Sequence, residues 1–232
     1  MNRLITSIAL LLFAGYMFTG CDATDPGLDD AGTVQLQMAV NTSNASAKQL
    51  LAHQQNGGLV IEEVKLFIEE MELESVENDS LDFEIENFIV NLPLDGSPLV
   101  LANQVVPAGI YDEFELEIEK PDDKDLVVND SDFQDETGEY SVVVKGIFNG
   151  EEFMFRSSED FEIDIDLNPP LVIEEGTSTV LLISIDVYSW FMGPNGEELD
   201  PKDPANTERI NENIEKSFEA FEDQFDDDDD DD

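Results

Sequence analysis

Three stretches of this chain alternate strictly between apolar and acidic residues, and that alternation limits the fold more than any other feature. Leu81, Phe83 and Ile85 oppose Asp82, Glu84 and Glu86; Phe114, Leu116 and Ile118 oppose Glu115, Glu117 and Glu119; Phe161, Ile163, Ile165 and Leu167 oppose Glu162, Asp164 and Asp166. A helix would scatter these residues around its circumference. A strand puts them on two faces, one oily and one acidic, because successive side chains point to opposite sides of a sheet. Each stretch therefore reads as a strand with one face in a core and one in water.

Further strands follow from the same period. Val34, Leu36, Met38 and Val40 alternate in "TVQLQMAV", where the folded domain should begin. "YSVVVKGIF" and "EEFMFRS" are joined by Asn149-Gly150, both tolerant of the positive φ that a two-residue hairpin turn requires. "STVLLISIDVYSWF" is apolar on both faces, as a covered central strand would be. The segment 59–76 is ambiguous. Val64, Leu66 and Ile68 followed by Met71 and Leu73 make a strand whose parity slips at Glu69-Glu70, as a bulge would allow. Ile61, Val64, Ile68 and Met71 also fit a helix face. Strand is the preferred reading because its neighbours are strands. About nine strands with turn signals between them predict a mainly β protein, a two-layer antiparallel β-sandwich over residues 33–192.

After Gly193 the period changes. Ile210, Ile214, Phe218, Phe221 and Phe225 recur at helical spacing, with Asp203 and Pro204 placed as N-cap and first helical residue. This predicts a C-terminal amphipathic helix over 203–225. Its stripe would dock on the sandwich or, with Ile210, Ile214, Phe218 and Phe221 as contacts, on a partner. Asp226 to Asp232 form a run of like charge that should remain a disordered acidic tail.

The charge balance excludes one class of partner. The chain has 56 acidic and 10 basic residues, a formal charge of −46 at pH 7. Nucleic acid and anionic surfaces would be repelled. Such charge suggests disorder, yet 41% of residues are apolar and 15 are phenylalanine, enough for a core. Scarce lysine and abundant carboxylate suit a concentrated-salt or divalent-rich setting, where self-repulsion is screened.

The N-terminus supplies location. Arg3 precedes a mostly apolar run, Leu4 to Phe18, which has the length of a signal-peptide core and falls short of the ~20 residues a membrane-spanning helix needs. Thr19, Gly20 and Cys21, the only cysteine, follow. "FTGC" resembles the bacterial lipobox, with Phe18 where leucine is commoner. The resemblance implies cleavage before Cys21 and lipid on its sulfur. Residues 1–20 then form a lipoprotein signal peptide, and 21–32 a flexible tether rich in Asp, Pro and Gly. Removing 1–20 costs one base, Arg3, and no acid, which takes the charge to −47. Asp22 beside the cysteine suits inner-membrane retention under one sorting rule and surface display under another, and an outer-membrane or cell-surface location is preferred.

Taken with that anchor, "EEVKLFIEEMELE", "LANQVVPAGIYDEFELEIEK" and "IEEGTSTVLLISIDVYSWF" resemble a domain family of unestablished activity found in secreted bacterial lipoproteins. The match covers about 33–191, through Ala108-Gly109-Ile110-Tyr111 and the alternation after it. It implies an immunoglobulin-like or prealbumin-like β-sandwich.

Catalytic groups are few. His53 is the only histidine, and there is no nucleophile elbow or phosphate-binding glycine loop. The chain is therefore expected not to be an enzyme and to need no cofactor, with calcium the one candidate ion. Carboxylates facing each other across strands destabilise a sheet unless cations intervene, and calcium takes six to eight oxygens. Asp130, Asp132 and Asp135, and Asp122, Asp123 and Asp125, are the candidate clusters, with Asp200, Asp203 and the tail behind them. The expected function is a lipid-anchored, non-catalytic envelope module that meets an unknown envelope protein or glycan. A carbohydrate-binding module using an exposed aromatic such as Trp190 and an acid-pair glycoside hydrolase are the alternatives.

Overall fold

The computed structural model describes residues 31–42, 58–76, 83–121 and 130–223. The segment 1–20 read as a signal peptide, Cys21, His53, Asp122, Asp123, Asp125 and the aspartate tail lie outside them.

The strands are β1 (Ala31–Val40), β2 (Leu59–Ser75), β3 (Phe83–Asn91), β4 (Leu99–Pro107), β5 (Gly109–Ile118), β6 (Gln134–Asp135), β7 (Gly138–Glu139), β8 (Val142–Phe148), β9 (Glu151–Ser157), β10 (Phe161–Ile173), β11 (Ser178–Ile185) and β12 (Phe218–Asp223). One layer is a four-stranded sheet in the order β12-β11-β1-β4; the other is six-stranded, built from β10, β5, β2, β8, β9 and β3. The mainly β class and the sandwich expected from the alternation are what the chain adopts. Its pairings are antiparallel except β1 with β11, which run parallel in register from Thr33↔Ser178 to Val40↔Ile185. A parallel pair needs a long connection, and nearly the whole domain lies between these two strands. β1 begins at Ala31, two residues before the expected start, because the Ala31 carbonyl accepts from Gly176 N at 2.9 Å.

β2 organises the larger sheet. It pairs with β8 over Leu59–Leu66, with β3 over Lys65–Leu73 and with β5 over Glu70–Ser75. Lys65 and Leu66 have partners on β3 and β8 at once, and Glu70 to Leu73 on β3 and β5 at once. Thus β3 runs along one side of β2 while β8 and β5 share the other. The segment is strand, and its parity changes where the sequence placed the slip: Val64, Leu66 and Ile68 point inward, then Met71 and Leu73. Asn87, across from Glu69, takes φ 56°, a left-handed conformation that asparagine tolerates better than most residues. Asn149 and Gly150 both have positive φ, as the β8-β9 hairpin requires.

Between the layers lies one core. Leu36 and Met38 of β1, Ile183 and Ile185 of β11, Leu66 and Ile68 of β2, and Phe114 and Leu116 of β5 are all essentially inaccessible to solvent. Tyr111 is buried among them and its hydroxyl donates to the Pro107 carbonyl at 2.9 Å, which fixes the β4-β5 turn in the "AGIY" stretch.

The C-terminal region departs from expectation. The helix spans Thr207–Glu215 only (α1), entered through a 3-10 turn at Pro204–Asn206 that Asp203 caps by accepting from Ala205 N at 3.0 Å. Residues 218–223 are β12, paired antiparallel with β11. The spacing of Ile210, Ile214 and Phe218 suits a helix, but a strand puts Phe218 and Ala220 on one face as well, and the open edge of β11 offers backbone partners that a helix would leave unused. Ser217 marks the change: its hydroxyl donates to the Ile214 carbonyl at 2.7 Å and accepts from Trp190 Nε1 at 2.7 Å. Asn213 Nδ2 closes the loop below α1 by donating to the carbonyls of Ser189, Trp190 and Met192.

Candidate functional site

The acidic faces of the alternating strands lie side by side. Register places Glu86, Glu70, Glu117 and Glu162 in one row across β3, β2, β5 and β10. Glu84, Glu72, Glu115 and Asp164 make the next, and Glu74, Glu113 and Asp166 a third. Neighbouring strands lie about 4.8 Å apart, and residues two apart on one strand about 6.8 Å, so the outer face is a grid of carboxylates. Oxygens of Glu70, Glu84 and Glu86 come within 4.8 Å of one another, as do those of Glu72, Glu74 and Glu115, of Glu115, Glu162 and Asp164, and of Glu69, Glu117 and Glu119.

Protonation responds to this crowding. Partial burial and then the charges of Glu84, Glu117, Glu72 and Glu86 push the Glu70 carboxyl up to about 7. Burial, then neighbouring carboxylates, also raises Glu113, Glu115 and Glu117. Glu84 is raised first by a side-chain hydrogen bond with Glu86, then by burial and by the Glu86 charge.

A groove of about 950 Å³ between β10 and α1 continues the face. Glu162 and Asp164 line its sheet side and Glu208, Glu212 and Glu215 its helix side. Negative potential thus runs from β3 across the sheet to the helix.

Asp130, Asp132 and Asp135 have another role. Asp130 and Asp132 accept from Lys65 Nζ, each at 2.7 Å, and Asp132 also from Lys145 Nζ at 2.5 Å. Lys145 reaches Glu63 at 2.7 Å. Burial alone would raise the two aspartates, but the lysine hydrogen bonds outweigh it and hold both below the usual carboxylate range. Asp135 is lowered to about 2 by Thr137, through its hydroxyl and backbone N–H, and by Arg156. Arg156 also lies 4.8 Å over the Tyr140 ring. Phe133 is fully buried against Phe67, ring centroids 6.3 Å apart. These contacts pin residues 130–141 onto the outer face of β2, β8 and β9. Their oxygens already serve lysine and arginine, so a metal there would have to displace a salt bridge. Asp200 and Asp203 accept from nearby backbone N–H groups at 2.9 and 3.0 Å.

The expected partner stripe is mostly spent inside the domain. Ile210 and Ile214 are fully buried and Phe218 nearly so; only Phe221 is half exposed. Ile210, Ile214 and Phe218 are core residues and not a docking face, because α1 and β12 pack on their own sandwich. Trp190, Tyr111 and Phe191 are also fully buried, so none of these three offers the exposed ring that sugar stacking would need. The grid residues of β3, β5 and β10 are legible in the sequence as one face of each strand. What the sequence does not show is that β2 sits between β3 and β5, bringing Glu70, Glu72 and Glu74 into the same array.

No family model, curated protein or solved structure matches the chain. Among the described residues no helix is long and apolar enough to cross a membrane.

Proposed function

We propose that this protein is a non-catalytic module of the bacterial cell envelope, lipid-anchored at Cys21, whose β3-β2-β5-β10 face makes cation-dependent contacts with an envelope partner. The observation that carries the reading is the register of the three carboxylate rows. Like charges directly opposite one another weaken a sheet, and cations from solution, calcium above all, offset that repulsion. The cations act as a condensed layer over the face, and the chain needs no resident cofactor. A partner with basic groups, or an anionic glycan bridged by divalent ions, fits such a surface. The signal-peptide core and lipobox support export and anchoring, with the outer membrane or cell surface preferred. The sandwich agrees with the fold implied by the lipoprotein-family resemblance. No observation favours the sugar-stacking module, and the hydrolase alternative has an acidic groove but no exposed ring in it: Phe161, its one aromatic, is 5% exposed.

The test has two readouts. In the membrane fraction of cells making the protein, mass spectrometry should find a mature N-terminus at acylated Cys21; a mature start beyond Cys21, or a free thiol there, contradicts the anchor. The purified domain should then be retained by isolated envelopes in calcium and released by a chelator, with Glu72→Gln and Glu115→Gln together reducing retention. Retention indifferent to chelator and to both substitutions contradicts the role of the face.

A further inference from the structure

The carboxylate rows end on an apolar one. Beyond Glu74, Glu113 and Asp166 the register breaks, with Asp112 on β5 and Asn168, Pro169 and Pro170 on β10 exposed at the break, and past it Val76, Ile110 and Val172 lie side by side. Val76 N donates to the Ile110 carbonyl at 3.1 Å, and Ile110 is paired with Val172. The three are 56%, 40% and 49% exposed. Val105, also exposed, stands opposite Thr33 at the same end of the other layer. Four of the seven large exposed apolar side chains among the described residues therefore gather at one pole, where a scattered distribution would need no explanation.

The chain enters the domain at this pole. Ala31 is paired with Pro107 and its carbonyl accepts from Gly176 N; a Cβ on Gly32 would lie 2.5 Å from Ile173, the residue after Val172. Nine residues lie between Cys21 and Ala31, and an extended chain covers at most about 33–36 Å over the ten steps that join them. An anchor at Cys21 thus ties this end of the sandwich to within that distance of the bilayer.

We infer that the sandwich rests on the lipid surface through the Val76-Ile110-Val172 pole, with its strands rising from the membrane and the carboxylate rows standing as an upright wall. This rests on the lipid-anchor reading above. Asp112, Glu174 and Glu175 rim the pole and are exposed, so the fitting surface is zwitterionic, not anionic.

To test it, the mature chain is prepared in two forms: the native acylated protein, and one coupled through Cys21 to a maleimide lipid, both in phosphatidylcholine vesicles with brominated acyl chains. Val172→Trp is compared with Asp164→Trp on the same strand, the buried Trp190 giving a common background. The position-172 signal should lose roughly half its emission, as a ring seated about 5–10 Å into the headgroup and acyl boundary would, while position 164 stays unquenched. Adding Val76→Glu and Ile110→Glu should abolish the position-172 quenching. Equal quenching at the two positions, no quenching at either, or quenching that survives the glutamates overturns the inference. So does a concentration-dependent dimer that shields position 172 without quenching it, since a second copy would then cover the pole. An unacylated native protein would refute the anchor itself, and the maleimide-coupled form would still report whether the pole meets lipid.

Discussion

Glu70 sits where the acidic grid is most crowded, and its behaviour sets the residue-scale expectations. Its folded-state value of about 7 lies above the usual carboxylate range, so the folded chain holds this proton more tightly than the unfolded one. The stability associated with it is fully present below about pH 4.5 and is lost as pH rises toward 7. Glu70→Gln should therefore stabilise the protein at pH 8 in low salt by about 1 kcal/mol, a figure discounted for solvent screening. That corresponds to about 2–4 °C in the thermal midpoint, with little change at pH 4.5. A midpoint that falls at pH 8 would contradict the grid as a source of repulsion. Asp135 has the opposite sign. Its value is depressed to about 2, so its contribution is present above pH 3.8 and is lost as pH falls toward 2. Low-salt thermal scans should accordingly place maximal stability in mild acid, falling on both sides; a maximum at or above pH 8 would contradict both assignments.

At the scale of elements, two packing arrangements carry the fold beyond its alternation. The 130–141 segment is held by Lys65, Lys145, Arg156 and Phe133. Lys65→Met leaves Asp130 without its lysine and should cost about 1–3 kcal/mol while opening this segment to limited proteolysis. An unchanged cleavage rate would mean that the lysine does not clamp it. Ser217 joins the end of α1 to Trp190, and Ser217→Ala strands a buried indole N–H, at about 1–3 kcal/mol in chemical denaturation. A neutral result would show that water replaces the hydroxyl. Both elements were poorly legible in the sequence, for different reasons. Asp130 and Asp132 read as metal candidates because no local pattern reveals that Lys65, far away in the chain, lies across from them. Phe218 reads as a continuation of the helix of Ile210 and Ile214 because its spacing fits theirs, and only pairing along the edge of β11 takes the chain out of the helix before it. The central strands were legible because half-buried strands display period 2 directly.

The whole molecule has far more acid than base, and it spends scarce bases locally. Lys65, Lys145 and Arg156 are all committed to the 130–141 segment on the outer face of β2, β8 and β9. The carboxylate rows occupy the other part of that same sheet, and their shared register is the property that ties stability to the ions around the protein. Chain order could not reveal it, because it arises from strand pairing across the whole domain. The most direct test is the thermal midpoint of a chain of residues 21–232 at pH 8 as calcium chloride replaces sodium chloride at constant ionic strength. The account predicts a midpoint that climbs with calcium in the range of about 0.1–1 mM typical of extracellular sites, and a smaller climb when Glu70, Glu72 and Glu115 are all changed to glutamine. A midpoint that stays flat or falls with calcium, or a climb undiminished in the triple variant, would contradict it.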